Sequence, residues 1–249
     1  MKALILWFNT AGSPPNFERY AARWIPIWFV LAFICLLVGA AGGLFLVPAD
    51  SKQGEIFRII YIHVPAAWMS LFVFIVMAAQ AFIALVWRIK ICELLTIACA
   101  HIGLMFTAVT LVTGSIWGKP TWGTWWTWDP RLTSELVLLF IYLGIIGLYN
   151  AIEDRRSAAR AAAFLVLIGL INVPIVHFSV TWWNTLHQGE TIRIVGESKM
   201  ASELMWPLIV MTLATKFWFL GSVLQRARAM NLAHEANKDW AKKLAESKQ

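Results

Sequence analysis

The chain has 249 residues, of which 59% are hydrophobic, 14% aromatic and only 14% charged, with a formal net charge of +7. That balance excludes a soluble globular domain and a disordered chain, and describes a single polytopic membrane domain over residues 1–249. Nucleic acid is not required as a partner for the positive charge, most of which falls on one set of loops, as expected for a protein surrounded by membrane lipid.

The first stretch, "ALILWF", lacks a small-residue cleavage site and is followed by Ser13, Pro14 and Pro15. It reads as an interfacial segment rather than a removed signal peptide. A hydrocarbon core about 30 Å thick needs roughly 20 mostly apolar residues per helix. The first such run is Trp24 to Val47, and loop one, with Asp50, Lys52, Glu55 and Arg58, follows it. The second run, Ile59 to Trp87, opens with "RIIYIHVPAAW". His63 lies about one turn inside it, roughly 6 Å below the outer end. Pro65 bends the helix there, so His63 is expected at the rim or turned toward it.

The third run, Ile91 to Ile116, ends at "WGKPTWGTWWTWDPRL", residues 117–132. Loop two thus holds Trp117, Trp122, Trp125, Trp126 and Trp128. If residues 122–129 are helical, Trp122, Trp125 and Trp126 share one face and form a flat aromatic shelf. Asp129 followed by Pro130 is a helix start, with Asp as N-cap and Pro at the first helical position. The fourth run is Pro130 to Ile152, with Arg131 in its first turn and Glu135 one to two turns in. The fifth, Arg160 to Trp182, contains the helix-bending Pro174. Loop three, residues 181–203, carries Trp182, Trp183 and His187, and its Gly189 and Gly196 mark turns. The sixth run is Leu204 to Leu224, followed by a tail over residues 225–249. Lys216 lies near the inner end of that last run, where its ammonium can snorkel to the interface.

Six spans with alternating loops place Arg19, Arg23, Arg88, Lys90, Arg155, Arg156, Arg160, Arg226 and Arg228 on one side, together with the lysines of the tail. Only Lys52, Arg58, Lys119, Arg131, Arg193 and Lys199 fall on the other. The positive-inside rule then makes both termini cytoplasmic and the tryptophan segment external. Cys35 and Cys99 sit in spans and Cys92 at the inner boundary, so no external disulfide is expected. There is no C-x-x-C-H haem-attachment motif, no Walker A sequence and no zinc-spaced Cys/His set.

A lone interfacial tryptophan belongs to the aromatic belt of a membrane protein. His63 alone reads as a hydrogen-bonded helix-end residue, His187 as a solvated loop residue, Asp129 as a cap, and Arg58 and Arg131 as interfacial anchors. Taken together these residues suit an iron porphyrin. Its macrocycle needs broad aromatic surfaces, its iron takes imidazoles on either face, and its propionates need cations. Zinc would not need the tryptophans, and a metal-free flat ligand would not need the histidines. A competing class, an electron-transferring b-type cytochrome, would use His101 and His177. These lie about 15 and 25 Å from the inner ends of their spans, a poor level match for one haem. A solute transporter would want charges or broken helices at mid-bilayer, where these spans are largely apolar.

The segment "WGTWWTWDPRLTSE" resembles the tryptophan-rich WWD signature of haem-handling proteins in cytochrome c biogenesis. "YIHVPAAW", "TGSIWGKP" and "HFSVTWWNTLHQG" further resemble the C-subunit (CcmC) family of the bacterial cytochrome c maturation system. The similarity runs from about Arg58 to Gly189, while Met1 to Arg23 and Arg226 to Gln249 carry no matching motif. The resemblance implies an all-α inner-membrane protein that holds haem b, non-covalently, at the periplasmic face with His63 and His187 as axial ligands. It implies delivery to a membrane-anchored haem chaperone (CcmE), on which a histidine bonds covalently to a haem vinyl. An ABC transporter (CcmA with CcmB) and a small membrane protein (CcmD) are the implied companions, and the nucleotide site belongs to the transporter. On this reading Trp117, Trp122, Trp125, Trp126, Trp128 and Asp129 belong to the haem-binding segment, and Arg58 and Arg131 neutralise the propionates.

Overall fold

The structure, a computed structural model, describes residues 12–187 and 200–246. The N-terminal interfacial stretch, and Gly189 and Gly196 of loop three, lie outside the described residues. Six helical segments are long and apolar enough to cross a membrane, and among the described residues there is no β-strand.

Helix α1 spans Pro14–Ala41, starting ten residues earlier than the apolar run because Pro14 and Pro15 can open a helix whose first turn needs no backbone donor. It widens into a π-helical turn, Gly42–Leu46, before loop one. A short 3-10 turn, Glu55–Ile59, leads into α2, Ile60–Trp87. Pro65 sits within α2, which continues through it.

Helix α3, Lys90–Trp122, continues six residues past the expected end, with Lys119 and Pro120 in its last turn. It stops at Gly123, whose φ of +78° is open to glycine at little cost. Residues 123–129 are therefore not helical, and the expected shelf on one helix face is not formed. Instead Trp117 and Trp122 belong to α3, while Trp125, Trp126 and Trp128 follow in a non-helical return. Ser115 Oγ donates to the Trp125 carbonyl at 2.6 Å and holds that return against the helix.

Helix α4 is Pro130–Ala151, with Asp129 as N-cap: its carboxylate accepts the Leu132 amide at 2.8 Å. The fifth span is two helices, α5 (Arg155–Gly169) and α6 (Asn172–Trp182), broken just ahead of Pro174, which has no N–H to give to the turn before it. Asn172 Nδ2 donates to the Ser134 carbonyl at 3.0 Å, so the break is fastened to α4. Helix α7, Ser202–His234, continues ten residues beyond the apolar run, so the expected tail begins as helix. A short amphipathic helix, α8 (Asp239–Glu246), follows.

The core sits where α2, α3, α4 and α5 meet, around Met69, Phe74, Leu138 and Tyr142. Tyr142 is fully buried there, and its hydroxyl donates to the Ser70 carbonyl at 2.8 Å. Helix α1 packs chiefly on α7. At their shared end Arg228 Nε donates to Glu18 at 2.8 Å, and Asn231 Nδ2 to the Pro14 carbonyl at 3.0 Å. All three cysteines are free. The alternating spans collect loops one, two and three at one end of the bundle, here the aromatic end, and the arginine-rich loops at the other.

Candidate functional site

At the aromatic end, α2 contributes His63, which is buried at 5% relative exposure rather than open at the rim. Its ring lies over Gly114 of α3, where a Cβ would come within 3.0 Å of it. Thr113, the residue before Gly114, donates through Oγ1 to the Val109 carbonyl at 2.6 Å and stands 3.0 Å from His63 Nδ1. A hydroxyl whose proton is already committed accepts from its neighbour, so His63 carries its proton on Nδ1 and keeps the Nε2 lone pair free.

Trp117, four residues along α3 from Thr113, meets the His63 ring edge-on with ring centres 5.6 Å apart. Its indole N–H donates to Gln53 Oε1 at 2.8 Å. Gln53 is held in turn by Asp50, whose carboxylate accepts the backbone amides of Lys52 and Gln53 at 2.9 and 2.8 Å. Loop one thus fixes the tryptophan that packs on His63.

His187 arrives from loop three. Thr185 Oγ1 donates to the second carboxylate oxygen of Asp129 and accepts the His187 amide at 3.1 Å. Asp129 therefore caps α4 with one oxygen and anchors loop three with the other. The His187 ring lies edge-on to Trp122 with centres 5.7 Å apart, and faces His63 at 6.2 Å with the ring planes 47° apart. Burial, with help from the Arg131 guanidinium and against the pull of Asp129, lowers its pKa to about 4. The imidazole is neutral at pH 7, the state that binds metal.

The 6.2 Å spacing bears on ligation. A metal–imidazole bond is about 2.0–2.1 Å, and with about 1 Å from nitrogen to ring centre two imidazoles on opposite sides of one metal have centres about 6 Å apart. Among the described residues no three His, Cys, Asp or Glu side chains are grouped to hold a bare metal ion. A porphyrin would supply the other ligands of a metal held between these histidines. Among the described residues the buried His187 Nδ1 lacks a hydrogen-bond partner, as do Trp126 Nε1 and Thr127 Oγ1 in the non-helical return. The donor set fits an iron porphyrin.

The other expected residues divide. Arg131, half-buried beside the pair, donates to the Val176 carbonyl of α6 at 2.9 Å. Arg58 pairs with Glu55 and donates to the Gly43 and Val47 carbonyls at 2.7 and 3.2 Å. Trp126 is half-buried and packs edge-on to Trp128, whereas Trp125 and Trp128 are 56% and 77% exposed. Beneath Arg131, Glu135 is buried with Oε1 unpartnered. His101 bonds to its own helix at the Ile97 carbonyl, 3.0 Å away, and His177 packs on Phe178, so the alternative pair makes no ring contact. Thr113, Gln53 and Thr185 were not anticipated. The four-residue spacing of Thr113 and Trp117 on one helix could have revealed the first, but the other two depend on loop folding that no periodicity encodes.

The chain matches the family of heme exporter protein C (CcmC) over residues 7–242. It is 47% identical over 232 residues to heme exporter protein C of Escherichia coli strain K12, covering 93% of both chains. Against heme exporter protein C of Haemophilus influenzae it is 44% identical over 241 residues, covering 97% of this chain and 98% of the relative. A putative cytochrome c biosynthesis ccmC-like mitochondrial protein of Marchantia polymorpha is 44% identical over 206 residues, covering 82% and 84%.

Proposed function

The chain belongs to the heme exporter protein C family, and on that premise we propose that it binds haem at the periplasmic face of the bacterial inner membrane and hands it to the haem chaperone CcmE for cytochrome c maturation. The observation that carries this reading is the His63–His187 pair, 6.2 Å apart between ring centres, with one tryptophan packed on each ring. The cargo is haem b, held without a covalent bond. Its iron is taken by His63, whose tautomer Thr113 sets, and by His187, which Thr185 and Asp129 position.

The tryptophans divide the work. Trp117 and Trp122 orient the two ligands, and Trp126 offers its unpartnered N–H inside the site. Exposed Trp125 and Trp128 meet the membrane–water boundary or the macrocycle's outer edge, where an amphipathic indole is favoured. Arg131, close enough to His187 to lower its pKa, is the nearer counter-ion for a propionate. Arg58 keeps two of its five donors for the other, beyond those holding Gly43, Val47 and Glu55. His187 is on a loop and His63 inside a helix, so His187 is the ligand whose release starts transfer. CcmA, CcmB and CcmD complete the assembly, with nucleotide hydrolysis in the transporter. The scarcity of basic side chains at the aromatic end supports a periplasmic site and cytoplasmic termini.

The test is purification of the parent, His63→Ala, His187→Ala and the double variant, with haem content and absorption spectrum measured for each. Both single variants should lose the six-coordinate spectrum, and the double variant should lose most of the haem. Unchanged haem and spectrum in all three would overturn the ligation scheme.

A further inference from the structure

At the opposite end of the bundle lies a cavity of about 970 Å³, between the end of α2, the start of α3, the end of α4 and the N-terminus of α5. Its lining holds five arginines and lysines (Arg88, Lys90, Arg155, Arg156 and Arg160) and His234 from the end of α7, against two acids, Glu93 and Asp154. Apolar residues also line it, among them buried Leu94, half-buried Leu85 and exposed Phe164. No haem-site residue lies here.

Several of these charges already have partners. Lys90 pairs with Glu235, Arg155 stands over the Tyr149 ring at 5.6 Å, and the Asp154 carboxylate caps α5 by accepting the Ser157 amide at 2.8 Å. Arg88, Arg156 and Arg160 have no ion pair within 4 Å among the described residues, and all three are exposed. The backbone at Arg88 gives a second, independent observation. At φ +56° and ψ +38° it is the one non-glycine residue with positive φ among those described, at a helix-ending position that glycine fills more easily. A strained arginine at the mouth of a basic cavity points to a use for its guanidinium.

The geometry points to a binding site here for an anionic amphiphile, with its acidic head on Arg88, Arg156 and Arg160 and its apolar body along Leu85, Leu94 and Phe164. Basic pockets between spans at the cytoplasmic surface are suited to such heads. Two sources share this chemistry: an anionic phospholipid of the inner leaflet, and the propionate edge of a porphyrin.

The test uses the full chain in nanodiscs of phosphatidylcholine with a minor fraction of phosphatidylglycerol, and counts retained phosphatidylglycerol by native mass spectrometry. A second arm titrates haem into the His63→Ala/His187→Ala variant, where the aromatic-end site is disabled. In at least one arm, binding to the parent cavity is expected to fall about tenfold or more in Arg156→Gln/Arg160→Gln, as charged hydrogen bonds are lost. Arg88→Gly is the decisive companion, because it removes the guanidinium while relaxing the turn. It should hold or raise the melting temperature and still weaken binding. Dependence in the lipid arm assigns the phospholipid, and dependence in the haem arm assigns the porphyrin. If neither arm responds to these variants, the site does not exist. The ligand spectrum of the aromatic end is untouched by that result, so the two proposals fail separately.

Discussion

Thr113 commits its own proton to the Val109 carbonyl and so accepts from His63 Nδ1, which sets the tautomer of that imidazole. Loss of such an outer partner typically costs 10–100-fold in metal affinity. Thr113→Val is therefore expected to weaken haem binding in that range in a titration of the purified protein, and Thr113→Ser to restore it. The His187 imidazole behaves differently. Its pKa is lowered to about 4 by burial and by Arg131, against roughly 6.5 when free. A histidine depressed in this way favours the folded, neutral state fully above pH 6.5, and that advantage disappears as pH falls through the folded value. Acid release of His187-dependent haem absorption is expected between about pH 5 and 3, and a midpoint near 6.5 would show His187 in open solvent instead. The two histidines proposed as ligands stood out in the sequence as candidates, while their burial was not legible there. A position one turn inside a span does not reveal that loop three will fold down over it.

At the level of elements, the site depends on two helix ends. Helix α3 runs past the apolar run to Gly123, carrying Trp117 and Trp122 to the two histidines, and α4 starts at Asp129, which also fastens loop three through Thr185. Asp129→Ala removes both functions. It should cost about 1 kcal/mol in stability from the lost cap and also lose the His187 contribution to the spectrum. Thr185→Val keeps the cap, so it should change the spectrum while leaving the thermal midpoint near the parent's. Equal melting losses in the two variants would contradict the separation of roles. The Asp-Pro start was readable because it is local chemistry. The expected helical shelf over residues 122–129 was not formed, because a left-handed glycine ends the helix one residue after Trp122, and three- and four-residue spacing alone carries no information about that stop.

Across the whole molecule, six spans and their order follow from apolar run length, since a hydrocarbon slab permits few alternatives. The runs missed where helices leave the membrane: α1 and α7 extend toward the basic end and meet through Glu18–Arg228, a contact 210 residues apart in sequence that no local pattern encodes. The charge asymmetry between the ends predicts sidedness. Cysteines introduced at Gly123 in the aromatic return and at Glu153 in a basic loop, with the three native cysteines replaced, should react oppositely with a membrane-impermeant thiol reagent. In intact spheroplasts only the first is expected to label. The central claim is that α2 and loop three each give one imidazole to the same iron, and electron paramagnetic resonance of the ferric, haem-loaded protein addresses it most directly. The account predicts a low-spin bis-imidazole signal in the parent, a high-spin signal in His187→Ala and in His63→Ala, and recovery of the low-spin form in each when free imidazole is added. A low-spin signal that persists in either variant without added imidazole would contradict it.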